Sequence, residues 1–98
     1  MVSIDDIIYC EADDNYAHII FKDNTRTIAS RTLKEIQSLL EDYHIFIRVH
    51  HSFLININEV VQYIRGDGGY VLMSDGSHIN VSRNKKNNLL KYLKPDTI

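Results

Sequence analysis

The chain has 98 residues, enough for one domain with a modest core, since a chain this size buries only about 60–65% of its unfolded surface. A composition 44% hydrophobic and 24% charged argues against disorder, and no apolar run approaches the roughly 20 residues of a membrane span. The net charge of −2 weighs mildly against nucleic-acid binding, but acids gather early (Asp5, Asp6, Glu11, Asp13, Asp14) and bases late (Arg83, Lys85, Lys86, Lys91, Lys94).

In chain order, "MVSIDDII" is acidic and lacks the apolar stretch of a signal peptide. Ile7 to Ala12 is a predicted strand, Asp13 to Asn15 its turn, and Tyr16 to Lys22 a second strand. The lone Cys10 excludes an internal disulfide, fits a reducing cytoplasm and is expected to be a small buried hydrophobe. Asp23-Asn24 is expected to be a two-residue hairpin turn into a strand over Thr25 to Ala29. Thr32 and Glu35 have the spacing of a capping box, and Leu33, Ile36, Leu39 and Leu40 then mark one apolar helix face that ends before Asp42-Tyr43-His44.

Phe46 to Asn56, "FIRVHHSFLIN", is an apolar, β-prone stretch interrupted by Arg48 and two adjacent histidines. Neighbours in an extended segment point to opposite faces, so His50 and His51 are expected to diverge. Val60 to Arg65 is a further strand, and Gly66 to Gly69 is a turn able to hold positive φ. Tyr70 to Ser74 and Ser77 to Val81 are predicted to form a hairpin around Asp75-Gly76, a type I′ pair. Ser82 is placed to cap a short last helix carrying Leu89, Leu90 and Leu93. The expected fold class is mostly β: short antiparallel sheets, one clear helix and a short C-terminal one. Phe46, Phe53, Ile55, Leu33, Ile36 and Val60 are the expected core.

Five histidines invite a metal site, but the ligand pairs of zinc proteins are missing, and His18, His44 and His78 are scattered singly. Ser52 beside His51 lacks the strained turn that presents a nucleophile, no glycine-rich loop precedes a helix, and the Asp5-Asp6 and Asp13-Asp14 doublets suit solvated turns. The sequence thus argues against an enzyme, a metal site and a cofactor. Three polar clusters remain: Asn15, Tyr16 and His18; Arg48, His50, His51 and Ser52; and Arg83, Asn84, Lys85 and Lys86. Spacing alone allows either three solvated edges or one binding surface, with DNA or a partner protein as its ligand.

The blocks "DIIYCEADDNYAHIIF", "TLKEIQSLL", "FIRVHHSFLININEV" and "INVSRNKKNNLLKYL" resemble the LytTR family of bacterial DNA-binding domains. Phe46 to Asn56 carries the specific form F-x-R-x-H-x-S-x-x-x-N, and the resemblance runs from about Ile4 to Leu93. It implies that residues 1–98 are one LytTR-type domain, with the family's usual first strand falling before Met1 and no receiver domain in the chain. It also implies a cytoplasmic, sequence-specific transcription regulator, the output domain of a two-component response regulator, whose edge loops enter the major groove of double-stranded DNA. Two copies would occupy repeated sites. Family base-contacting positions fall on Asn15 through His18, on His50-His51-Ser52 and on Arg83. Arg83 would read a base edge or anchor a phosphate, Asn15 and Tyr16 would position the first loop, and Arg48, Lys85 and Lys86 would meet phosphates. Many members have Arg where this chain has His51, which changes the bonds available at that step from an always-charged fork to an imidazole.

Overall fold

The computed structural model describes residues 3–98. Its elements are β1 (Ile7–Asp13), β2 (Tyr16–Phe21), β3 (Arg26–Ala29), α1 (Leu33–Leu39), β4 (Phe46–His50), β5 (Phe53–Asn56), β6 (Val60–Ile64), β7 (Tyr70–Met73), β8 (His78–Asn80) and α2 (Lys86–Tyr92). Five strands form one antiparallel sheet in the order β3-β2-β1-β5-β4, and β6-β7-β8 form another. The fold is mostly β, as the composition and strand signals predict.

Strand β1 lies at the centre of the larger sheet, and Ile7, Ile8, Tyr9 and Cys10 are all buried. A strand covered on both faces needs a continuous apolar run rather than alternation, which is what "IIYC" supplies. On one face α1 packs Leu33 and Ile36, with Leu40 just beyond its end, onto Ile7, Cys10, Ala17 and Leu54. On the other, Tyr9, Ile20, Val49 and Ile55 meet Tyr63, Val71, Met73 and Ile79 of the smaller sheet and Leu89 of α2. Of the expected core, Ile55 and Val60 are buried, while Phe46 and Phe53 are half-buried at its margins.

The capping box forms as predicted: Glu35 N–H donates to Thr32 Oγ1 at 3.2 Å, and Thr32 N–H donates to Glu35 Oε1 at 3.0 Å. Leu39, however, is 59% exposed, because Leu33, Ile36 and Leu40 complete the buried stripe and Leu39 falls to its side.

Two hairpin turns differ from expectation. Asn24 N–H donates to Phe21 O, and Gly76 N–H donates to Met73 O, so each loop has three residues rather than two. Only the last residue of each takes a left-handed backbone, Asn24 at φ 69° and Gly76 at φ 90°. A type I′ turn would require positive φ at Asp75 as well. Asp23 and Asp75 instead brace their loops by accepting from the Thr25 and Ser77 N–H groups.

The last helix also starts differently. Ser82 gives no side-chain cap; Arg83–Lys85 form a 3-10 turn closed by Lys85 N–H to Ser82 O, and α2 follows from Lys86. Among the described residues no helix is long and apolar enough to cross a membrane.

Candidate nucleic-acid interface

The register of the larger sheet determines which loops meet. Glu11 pairs with Phe53 and Asp13 with Tyr16, so the β1–β2 and β4–β5 turns emerge at the same sheet end. Ala12 N–H donates to Ser52 O at 2.8 Å and ties the two turns side by side. Asn15 and Tyr16 are exposed there, with Asp14 at φ 58° making the bend.

His18 is placed differently. Its Nε2 lies 2.8 Å from Asp13 Oδ2, and its buried Nδ1 has no protein partner. With a side chain only 17% exposed, it braces the base of the first turn rather than crowning it. Ala17, beside it, is fully buried against the α1 side of the sheet.

The "FIRVHHSFLIN" stretch is a hairpin, not one extended segment. A bulge at Val49 shifts the β4–β5 register between Arg48 and His50, and His51-Ser52 make the turn. Bulges re-aim the side chains beside them. The His50 and His51 rings therefore do not diverge; their centroids lie 4.3 Å apart at 32°. Phe53 supports His50 from the next strand, with centroids 5.7 Å apart.

Arg48 holds this turn closed. Its Nε donates to His50 O at 2.8 Å, Nη2 to His51 O at 2.6 Å, and Nη1 to Gln37 Oε1 at 2.7 Å. Burial lowers the Arg48 pKa from its ordinary value, which is high enough that the guanidinium keeps its charge. His50 Nδ1 accepts from Ser52 N–H at 3.1 Å, which leaves its Nε2 as the site of the neutral ring's proton. Burial, then the neighbouring His51 and Arg48, push the His50 pKa down and so favour its neutral ring, while exposed His51 presents its ring to solvent.

The third cluster is attached to the free side of β4, where Ser82 N–H donates to Val49 O at 2.8 Å. A groove of about 500 Å³ then joins the second and third clusters, with Arg48, His50 and His51 facing Asn84 and Lys85. Two residues from α1, Lys34 and Gln37, complete it; as polar residues of an amphipathic helix they carry no sequence signal beyond a solvated face.

Lys86 does not join this groove; it lines another with Tyr63, Arg65 and Leu90. Arg83 is exposed and pairs with Asp67 at 3.3 Å, both side chains being at least 80% accessible. Gly68 seats that segment: a Cβ there would lie 1.9 Å from Val81 O.

Cys10 is fully buried and burial pushes its thiol up to about 12, which makes it an inert hydrophobe. Among the described residues no three His, Cys, Asp or Glu side chains gather as a metal site would require.

Comparison with known proteins agrees with this architecture. The family model for the LytTr DNA-binding domain matches residues 1–94. A solved structure described as the LytTr DNA-binding domain of a methyl-accepting/DNA response regulator from Bacillus cereus superposes with a TM-score of 0.81 at 24% identity. The match covers 93% of this chain and 84% of that one. A search of curated proteins found no significant match.

Proposed function

Because the chain belongs to the LytTR family of DNA-binding domains, we propose that it is the sequence-specific reading domain of a transcription regulator. Its loops at one sheet end would enter the major groove. The observation that carries this is the shared sheet end of the β1–β2 and β4–β5 turns, with the basic last block docked against β4. Asn15, Tyr16, His51 and Arg83 are the exposed candidates for base contact, and Ser52 backs His51 in the turn. His50, Arg48 and His18 act beneath them as positioning residues, and Lys85 meets phosphate. Lys86, on its separate groove, contributes at most long-range charge.

The wider setting is also proposed: residues 1–98 as one DNA-binding unit, two copies on repeated sites, a receiver domain in the full-length protein and a cytoplasmic location. The Bacillus cereus neighbour, described as part of a response regulator, supports the two-component role.

Selection of bound duplexes from random DNA, followed by a shift assay across a salt series, tests the proposal. One preferred sequence bound more weakly as salt rises is expected; equal, weak binding to every duplex would sink it. The acidic Asp13 and Asp14 at the first turn favour a second reading, a protein-interaction module using the same edge. Binding that needs no DNA and survives high salt would identify that case.

A further inference from the structure

We propose that the groove between α1 and the β4–β5 turn seats one DNA backbone phosphodiester, held by Lys34 and Lys85. This rests on the DNA-binding reading above and adds α1 to the interface. The groove is walled by Lys34 and Gln37 of α1, Arg48 and His51 of the β4–β5 hairpin, and Asn84 and Lys85 of the last block. Every one of these side chains can donate a hydrogen bond. No carboxylate lines the groove, in a chain whose acids outnumber its Lys and Arg by 13 to 11. Two other grooves differ: the one beside Lys22 also presents Glu59 and Asp75, and the one running along α1 to Phe46 presents Glu41. The groove of Arg65 and Lys86 also has no Asp or Glu in its lining, but it is walled by Tyr63 and Leu90 and shares no residue with the reading turn.

The donors are also unoccupied where it matters. The ion pairs among the described residues are His18–Asp13, Lys22–Glu59 and Arg83–Asp67, so neither Lys34 nor Lys85 is neutralised by a carboxylate. Arg48 gives its N–H groups to the turn and to Gln37, yet its charge stays fixed beside the groove. Gln37 has its carbonyl taken by Arg48, which leaves its amide N–H groups to offer. Three cations gathered around one concavity without a counter-ion repel one another, and a single anion relieves them all. A backbone phosphodiester fits in charge and in its two free oxygens. The groove shares His51 with the reading turn, so a phosphate seated there lies beside the bases that turn would reach and fixes its register.

The test compares wild type, Lys34→Ala, Lys85→Ala and Lys34→Arg on the selected duplex and a scrambled one across a salt series, with thermal melting to confirm folding. Each alanine variant is expected to weaken both duplexes equally and to reduce the slope of log K against log salt by about one. Lys34→Arg should restore the slope, and Lys91→Ala, at an exposed site on α2, should leave it unchanged. Slopes equal to wild type in both alanine variants, with DNA still bound, would overturn the phosphate seat alone. A loss confined to the selected duplex would also overturn it, in favour of base contact. A wild-type protein that bound neither duplex would remove the DNA-binding reading, and the seat with it.

Discussion

The guanidinium of Arg48 donates inside the protein to two turn carbonyls and to Gln37, so in the proposed interface it would shape the turn and add its charge beside the groove rather than donate to DNA. Lysine carries the same charge but cannot form the fork. Arg48→Lys is therefore expected to weaken binding to the selected duplex while leaving the salt slope unchanged, as titration across salt would show. Arg83→Ala should behave differently, costing about 1–3 kcal/mol and relaxing preference at one base position in a repeat selection. His50 adds a pH dependence. Its folded pKa lies below the ordinary 6.5, so its contribution to stability is present above that value. As pH falls the unfolded chain takes up the proton first, and the contribution is lost by the time the folded pKa is passed. Protonation also removes the acceptor for Ser52 N–H. Between pH 7.5 and 5, the melting temperature of wild type should fall further than that of His50→Gln.

At the scale of elements, what a residue does was legible where local chemistry settles it and obscure where tertiary contacts do. The Thr32–Glu35 capping box could be read directly, since it involves one turn of chain, and Thr32→Ala should lower stability by about 1 kcal/mol in denaturant titration. The two histidines do not diverge as an extended segment predicts, because a bulge at Val49 and a turn at His51-Ser52, both invisible to a period-two pattern, make this run a hairpin end. The Asp75-Gly76 pair marked a turn correctly but not its length, since Asp75 is recruited as a side-chain brace instead of adopting positive φ. The clusters around Asn15, His51 and Lys85 were visible as polar breaks, whereas Lys34 and Gln37 enter the groove only through the packing of α1 on the sheet. Gly68 belongs with these tertiary effects. It is required by the approach of Val81 O, so Gly68→Ala should both lower the melting temperature and weaken DNA binding, by displacing the segment that leads to Arg83.

For the molecule as a whole, a net charge of −2 means that attraction to DNA must come from one side rather than from the average. In the proposed interface the groove of Lys34, Arg48 and Lys85 would supply that side. The exposed pairing of Arg83 with Asp67 bears on the same balance. Two opposite charges 3.3 Å apart look almost neutral to a distant polyanion, yet salt and solvent hold such an exposed pair only loosely, so a base edge can take the guanidinium. If Arg83 reads a base as proposed, the pair would then act as a filter on dwell time: a duplex with the wrong sequence would meet a muted surface and leave quickly, while the right one would uncover the full charge of Arg83 on contact.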